Sequence, residues 1–466
     1  MRAKMILALA CLIPFLLLFI YVWTTATNYI YSDEIYIIKG NVIENYLNGT
    51  LTFSDLWQSV WSVRALGCIL LILADTKWFS LNSKIFIPLM PLLLLSSALL
   101  IYMEYRKSLT PERSPEFISA TFFALTLIIF NIIQWEALIF RGSLFYQLPM
   151  PFIIASFISL ELYLTKGRKY WFPALILTTL ALLVFGGTPV FSFLPALGIT
   201  FLCYVLTHRS SLMKDFYIRS LITSALLFVI IFIYAFPMNH NNYTSLLPLD
   251  IVAYIFDSPL KALQFLLSAF GASIIGVDTF FAHDLFSYRS ILVIGLILVL
   301  FYALALILFF KSRMYEKTFL PFFFIVQTFF FLLFMTIARF GFNLMALGMA
   351  SRYTCISIFG VVGIIWIFIF VLTQPAKMHL LQKTTIYAGF AIIFSGLLLT
   401  SIDTWKIQPE RKAQYKQLHD IAMRVDTASD EELWKFAYDP EKVRGALRLL
   451  RQYKLNVYCT VPEGKK

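Results

Sequence analysis

Long apolar runs alternate with short polar connections along most of this chain. Eleven of these runs approach the roughly 20 residues that an α-helix needs to cross a bilayer. Their approximate limits are Met5 to Thr24, Ile85 to Met103, Ile118 to Gln134, Met150 to Leu164, Trp171 to Phe185, Val190 to Leu206, Leu221 to Phe236, Ile291 to Phe310, Phe319 to Thr336, Tyr353 to Leu372 and Thr385 to Ile402. The pattern predicts an all-α, polytopic integral membrane protein with about eleven transmembrane helices.

Basic residues are distributed unevenly between the connections. With the N-terminus in the cytoplasm, every short inside connection carries Lys or Arg, as the positive-inside rule requires. These residues are Arg2 and Lys4; Arg106, Lys107 and Arg113; Lys166, Arg168 and Lys169; Arg209, Lys214 and Arg219; Lys311, Arg313 and Lys317; and Lys377 with Lys383. Eleven spans then place the C-terminus on the outer face of the membrane.

Two further apolar stretches are predicted to be interfacial or re-entrant helices in outer loops. Counting Ala262 to Val277 as a span would move the basic connection Lys311 to Lys317 to the outside, against the charge rule. In Leu51 to Ala74, Trp57 and Trp61 stand one helical turn apart, and the apolar run is too short to cross.

The composition changes after Ile402 to a charged tail. We therefore divide the chain into a transmembrane domain, residues 1–402, and a helical C-terminal tail, residues 403–466. Pro409 to Val425 and Pro440 to Tyr453 are predicted helices, the second with Asp439 as N-cap and Pro440 at the first helical position. A tail of this size makes a marginal core alone, so we expect it to pack on the outer loops.

The overall composition supports the membrane class. The 466 residues are 60% hydrophobic and only 14% charged, and the mean hydropathy is +0.78. The net charge of +12 reflects topology, because no basic run interleaved with aromatic residues forms a nucleic-acid groove. The five cysteines show no paired spacing, so the sequence predicts neither a disulfide framework nor a zinc site.

The first long outer loop carries the adjacent acids Asp33 and Glu34. A carboxylate pair at the bilayer surface suits deprotonating a hydroxyl or binding a divalent ion, although a solvated loop acid is an equal alternative. Arg339 and Arg352 flank a short outer connection rich in small residues, which suits bidentate capture of a phosphate or pyrophosphate. The alternative is that both arginines snorkel to lipid headgroups.

Other unusual polar residues fall on the same predicted face. Arg141 and Arg64 are weaker candidates for a phosphate, and Trp135 and Tyr146 suit stacking on sugar rings or membership of the interfacial aromatic belt. His240 and His283 are further candidates, although isolated loop histidines are more often plain surface groups. No fixed ligand spacing specifies a metal site, so a divalent cation, Mg²⁺ or Mn²⁺, stays open as a cofactor.

These features together resemble a known class of enzymes. An early outer acidic pair, phosphate-suited arginines in later outer loops, about a dozen spans and a small outer C-terminal domain resemble the GT-C glycosyltransferases. The segments Ala338 to Gly341 and Ala350 to Tyr353, with the ending Tyr438 to Arg444 and Leu455 to Tyr458, are similar to motifs of bacterial polytopic proteins. The layout is similar to that of the glucosyltransferases that decorate O-antigen in Gram-negative bacteria, but it lacks a second clear acidic motif.

The resemblance implies transfer of a sugar from a polyprenyl-phosphate carrier to a hydroxyl of a cell-surface glycan at the inner membrane. Glucose is the favoured sugar. Asp33 would then be the general base, Glu34 would position it, and Arg339 and Arg352 would bind the lipid phosphate. The implied partners are the lipid-linked donor, the glycan acceptor and membrane lipids. Nucleic acid is not an expected partner. Two alternatives remain, a transporter or flippase for lipid-linked sugars and an O-antigen polymerase or ligase.

Overall fold

The computed structural model describes residues 2–30, 34–40, 42–57, 66–109, 113–166, 170–184, 188–208, 255–283, 287–340, 348–374 and 379–459. Within these ranges the chain forms helices joined by turns, and no strand occurs among them. The prediction of an all-α protein is confirmed.

The described residues before the stretch 209–254 form thirteen α-helices. They are α1 Arg2–Thr25, α2 Glu34–Ile38, α3 Val42–Leu47, α4 Phe53–Trp57, α5 Leu66–Phe79, α6 Ser83–Phe86, α7 Leu89–Ser108, α8 Pro115–Ile129, α9 Glu136–Ile139, α10 Leu144–Gln147, α11 Pro149–Lys166, α12 Trp171–Val184 and α13 Thr188–Thr207. Short 3₁₀ helices at Ile132–Gln134 and Arg141–Ser143 flank α9.

The described residues after that stretch form eight α-helices. They are α14 Pro259–Gly271, α15 Val277–Ala282, α16 Tyr288–Lys311, α17 Leu320–Arg339, α18 Ser351–Thr373, α19 Leu380–Met423, α20 Asp430–Leu433 and α21 Pro440–Gln452. Two more 3₁₀ helices lie at Met314–Glu316 and Asn456–Tyr458.

Seven segments of the described chain are long and apolar enough to cross a membrane. They are Ser83–Ser108, Pro115–Gln134, Arg141–Lys166, Tyr288–Lys311, Leu320–Arg339, Ser351–Thr373 and Leu380–Met423. Every predicted span except Leu221 to Phe236 coincides with a described helix, and that one lies outside the described residues. The structure therefore supports a membrane protein, while eleven spans and their orientation stay predictions.

Helix α18 lies at the centre of the bundle and is buried on all sides. Its glycines allow this close packing, because a Cβ on Gly363 would lie 2.6 Å from the carbonyl oxygen of Pro321 at the start of α17. Hydrophobic residues fill the surrounding core, with Trp366 the largest of the fully buried side chains. Trp366 donates its indole N–H to Ser108 Oγ at 3.0 Å.

The stretch Ala262 to Val277 is a helix followed by a buried turn. Helix α14 has 13 residues, about 20 Å, and so is shorter than the hydrocarbon core. It packs closely on α16, since a Cβ on Gly271 would lie 2.5 Å from the carbonyl oxygen of Ile291. The turn after it is tied to α19 by a hydrogen bond from the Gly276 N–H to Thr400 Oγ1 at 3.0 Å.

The last predicted span and the predicted helix from Pro409 form a single helix. Helix α19 runs without interruption for 44 residues, with Pro409 inside it. The proline removes one backbone hydrogen bond, that to the carbonyl of Trp405. Gln408 and Arg411, on either side of Pro409, bond to Thr24 and to Asp278 in other parts of the protein. The helix is continuous through this region, so the predicted break between Ile402 and Pro409 is wrong.

The tail folds back onto the segments that follow α1. The predicted N-cap is confirmed, because Asp439 accepts a hydrogen bond from the Lys442 N–H at 3.0 Å. Beyond α21, Asn456 donates its side-chain N–H to the carbonyl of Leu81 at 2.7 Å, and its carbonyl accepts from Asn28 at 2.8 Å. The tail thus lies at the end of the bundle where α1 ends, which we call the tail face.

Candidate functional site

A buried connection between α8 and α11, residues 130–148, organises the tail face, and we call it the hub segment. Its turns are set locally by Asn131, whose Oδ1 accepts from the Ile133 N–H at 2.9 Å. Ser351 at the start of α18 donates its hydroxyl to the carbonyl of Ile133 at 2.5 Å. Three side chains of the hub segment, those of Trp135, Glu136 and Arg141, each contact a different part of the protein.

Arg141 lies in a buried ionic cluster with two carboxylates. Its Nε is 2.9 Å from Asp75 Oδ2, and its Nη1 is 3.7 Å from Glu34 Oε2. The Glu34 carboxylate also accepts from the Arg141 backbone N–H at 2.8 Å. Arg141 further donates to the carbonyl of Leu81 at 2.8 Å and to Ser83 Oγ at 3.2 Å. Arg141 is therefore enclosed by protein acceptors, and Glu34 is directed toward it.

The Arg141 guanidinium is the cationic partner of both carboxylates in this cluster. Neither oxygen of Asp75 accepts a well-aligned hydrogen bond from the described part of the chain, so its contact with Arg141 is a close charge contact. Burial therefore raises the pKa of Asp75 above the ordinary range for an aspartate, although the Arg141 charge acts in the opposite direction.

Arg352 and Glu136 form a more accessible ion pair at the start of α18. Arg352 Nη1 lies 3.5 Å from Glu136 Oε1, and the two side chains are 19% and 18% exposed. The Glu136 carboxylate also accepts from the Arg352 backbone N–H at 3.3 Å. An anion thus occupies a position served by a guanidinium and by the positive end of a long helix.

Two tyrosines lie beside this pair. The Arg352 guanidinium is 5.7 Å from the centroid of the Tyr353 ring, and Tyr146 meets that ring edge-on with centroids 6.2 Å apart. The structure therefore brings together two of the sequence candidates, Tyr146 and Arg352, with Glu136, the residue that follows the candidate Trp135. We call Glu136, Tyr146, Arg352 and Tyr353 the Arg352 site.

Trp135 faces a second buried arginine, Arg411 of α19. The Arg411 guanidinium lies 3.5 Å from the centroid of the Trp135 ring. It also donates to both oxygens of Asp278, at 2.9 and 3.0 Å, and to the hydroxyl of Tyr21. Trp135 thus takes part in a buried cation–π contact, and its face toward Arg411 is not available for a sugar ring.

His283 lies at the edge of this region with its side chain 38% exposed. Its Nε2 is 2.9 Å from Oδ2 of Asp403, which is buried in α19. Asp278, considered as a metal ligand from the sequence, has its oxygens bonded to Arg411 and to Thr404. Among the described residues no group of three His, Cys, Asp or Glu side chains is placed to hold a metal ion.

The remaining candidates divide into two groups. Arg339 is half-buried in the last turn of α17. Asp33, Arg64 and His240 lie outside the described residues, as does Asp284, so their roles stay predictions.

Sequence reasoning gave no role to Glu136 and did not select Arg411. A usable signal existed for Arg411, because Thr404, Gln408, Arg411 and Tyr415 share one face of a helix that continues through Pro409. No comparable signal existed for Glu136, whose partner Arg352 is 216 residues away along the chain.

No protein-family model, curated protein or solved structure matches this chain.

Proposed function

We propose that the chain is a GT-C-type glycosyltransferase. It transfers a sugar, with glucose the first to test, from a polyprenyl-phosphate carrier to a hydroxyl of a cell-surface glycan such as O-antigen. The observation that carries this proposal is the Arg352 site, where a carboxylate already binds a guanidinium and a helix N-terminal N–H at a partly exposed position. The same donors suit a phosphate, which can accept two parallel hydrogen bonds from an arginine.

The chemistry requires one bond to break and one to form. The bond between the anomeric carbon and the phosphate oxygen breaks, and the acceptor oxygen bonds to that carbon while its proton moves to a base. Polyprenyl phosphate leaves with the electron pair, and its charge is stabilised at Arg352. Entry of the donor phosphate displaces the Glu136 carboxylate from Arg352.

Asp33 is the proposed base, with Glu34 in a positioning role. The contact between Glu34 and the Arg141 backbone supports this division, because it fixes the start of α2 against the hub segment that also carries Glu136. Glu34 is 4% exposed and bonded to Arg141, so it is poorly placed to meet a substrate hydroxyl.

The buried charges among the described residues support a site at the tail face. In the proposed topology this face is periplasmic, and the protein lies in the inner membrane of a Gram-negative bacterium. Arg339, close to Arg352 in the sequence, is the second proposed phosphate ligand. Tyr146, which packs beside Tyr353, is the proposed contact for a sugar ring.

Reconstituted protein tests the proposal directly. With polyprenyl-phosphate glucose and a candidate acceptor glycan, wild-type protein should yield a new glycan and release polyprenyl phosphate. Asp33→Asn should slow this reaction by roughly two to four powers of ten while donor binding persists. The matched control is Asp430→Asn, which neutralises an aspartate on the exposed side of the tail and should leave the rate unchanged.

Two results would contradict this assignment. Near-normal turnover in Asp33→Asn would remove the general-base role. Movement of a lipid-linked sugar across the membrane, with no glycan product from wild-type protein, would favour a transporter instead.

A further inference from the structure

A separate cavity of about 290 Å³ lies at the tail face, between α1, the junction of α6 and α7, and α19. Its lining includes Trp23, Thr24, Thr27, Lys84, Pro88 and Lys412. Both lysines are exposed, and neither forms an ion pair with a carboxylate of the described chain. The cavity therefore presents two positive charges that the described residues do not neutralise by ion pairing.

The walls of the cavity are held in place by hydrogen bonds between the three elements. Gln408, one turn before Lys412, donates to the hydroxyls of Thr24 and Thr25 at 2.7 and 2.8 Å. Asn28 accepts from the Ser83 N–H, next to Lys84, at 3.0 Å. These bonds hold together the three elements that carry the lining residues of the cavity.

In the predicted topology, with α1 crossing the bilayer, the cavity would lie at the level of the lipid headgroups. Helix α1 has 24 residues, about 36 Å, compared with about 30 Å for the hydrocarbon core, so its end at Thr25 reaches the headgroup region. Trp23 at this level is 58% exposed, as is typical of the aromatic belt of membrane proteins.

The surface below the cavity is suited to acyl chains. Leu16, Leu17, Ile20 and Trp23 form an exposed apolar stripe on α1 that leads to the cavity mouth, and Leu92 and Leu99 are exposed on α7. A lipid with its phosphate between the lysines could lay its chains along this stripe. A free phosphate ion would leave the stripe unused.

From these observations we infer that the cavity binds the phosphate of an anionic phospholipid, with Lys84 and Lys412 as its charged ligands. Ammonium groups at a membrane surface attract anionic headgroups and donate charge-assisted hydrogen bonds to phosphate oxygens. This inference is independent of the proposed transfer reaction, because it concerns a different cavity and its test measures lipid binding alone.

The test is native mass spectrometry of the full chain in detergent with added dioleoyl-phosphatidylglycerol or dioleoyl-phosphatidylcholine. The wild-type protein should retain phosphatidylglycerol in preference to phosphatidylcholine. The double variant Lys84→Gln/Lys412→Gln should bind phosphatidylglycerol roughly tenfold more weakly, with phosphatidylcholine binding unchanged. The matched control Lys416→Gln/Lys435→Gln removes the same charge from exposed positions of α19 and the tail, and should behave as wild type.

Three results would overturn the inference. Equal phosphatidylglycerol binding by wild type and by Lys84→Gln/Lys412→Gln would exclude the two lysines as ligands. An equal loss in the control variant would indicate a general charge effect. Displacement of phosphatidylglycerol by inorganic phosphate at equal concentration would identify a free anion as the occupant.

Discussion

The Arg411 guanidinium lies over the ring of Trp135, 3.5 Å from its centroid, while donating two hydrogen bonds to the Asp278 carboxylate. This contact joins three parts of the chain that are far apart in sequence, namely the hub segment, α15 and the C-terminal half of α19. Because Arg411 and Asp278 are both buried, each neutralises a charge that would be costly alone. The contact fixes the hub segment on one side, and the Arg141 cluster fixes it on the other.

Removing one partner of this pair should destabilise the protein strongly. Asp278→Ala leaves the Arg411 charge buried without its carboxylate, and we expect a loss of roughly 3–5 kcal/mol. In the double variant Asp278→Ala/Arg411→Ala the loss should be smaller than the sum of the two single losses. Thermal unfolding of the detergent-solubilised protein measures all three.

The exposed pair of Arg424 and Glu432 in the tail is the matched control. Its single variants, Arg424→Ala and Glu432→Gln, should change the unfolding temperature far less, because water screens both charges and glutamine can still accept from the Ser429 N–H. Additive losses in the Asp278 and Arg411 variants would show that the two residues do not act as a pair.

The helices were predictable from sequence because a bilayer leaves few alternatives. A backbone in hydrocarbon must satisfy its own hydrogen bonds, so an apolar run such as Tyr353 to Leu372 becomes a helix. The N-cap at Asp439 was also predictable, because its signal lies within four residues. Pro409 was misread because the local rule for proline was outweighed by tertiary contacts such as those of Gln408 and Arg411.

The site was less predictable, because its pairs connect distant parts of the chain. Nothing local to Arg141 indicates that Glu34, 107 residues earlier, would contact it. Arg141, a weaker candidate for a phosphate ligand from the sequence, lies instead in a buried cluster with Glu34 and Asp75. Arg352 could be selected from its place at the end of a span. Its partner Glu136 could not, since only the fold of the hub segment brings it there.

Stability should depend on pH through Asp75. Its pKa is raised in the folded protein, so its stabilising contribution is greatest below the unfolded pKa of about 3.9 and declines as the pH rises through the folded value. Asp75→Asn stays neutral at every pH. The unfolding temperature of Asp75→Asn relative to that of wild type should therefore rise as the pH increases from about 4 to 7.

Asp55 supplies a control of opposite sign. Hydrogen bonds from the Thr52 backbone N–H and hydroxyl, both 2.8 Å, lower the pKa of Asp55. Its contribution is present above the unfolded pKa and is lost as the pH falls through the folded value, so Asp55→Asn should approach wild type at low pH. The same pH trend in both variants would contradict the assignment for Asp75.

Asn456 should control how firmly the tail is held. It adopts a left-handed backbone conformation, with φ of 52°, and its side chain donates to Leu81 and to Asn28. Asn456→Gly keeps the backbone conformation and loses these bonds, whereas Asn456→Ala also strains the backbone by about 1–2 kcal/mol. Amide hydrogen exchange in α21 should thus be slowest in wild type, faster in the Gly variant and fastest in the Ala variant. Equal exchange in the two variants would exclude a backbone contribution.

Arg352→Ala should weaken donor binding far more than it affects folding. A charge-assisted hydrogen bond to a phosphate contributes roughly 1.5–3 kcal/mol, which corresponds to one to two powers of ten in affinity. Arg352→Lys should restore only part of this, because an ammonium group lacks the planar fork. Binding of polyprenyl-phosphate glucose measures the effect, with Arg448→Ala in the exposed tail as control. Full affinity in the Lys variant would exclude bidentate binding.

Glu136→Gln should increase donor affinity. An increase would show that the Glu136 carboxylate competes with the donor phosphate for Arg352, whereas a decrease would show that it helps to bind the donor. In the structure Glu136 occupies the Arg352 guanidinium and its backbone N–H, so a donor phosphate must first displace it. A partly exposed ion pair at 3.5 Å contributes about 1 kcal/mol, and its loss should strengthen donor binding by roughly fivefold. Glutamine keeps the size and one acceptor oxygen, so the hub segment should stay folded. In an Arg352→Ala background the same change should have a smaller effect, because the carboxylate then has only the residue 352 backbone N–H to release. An unchanged affinity in Glu136→Gln alone would mean that the phosphate binds elsewhere on the tail face.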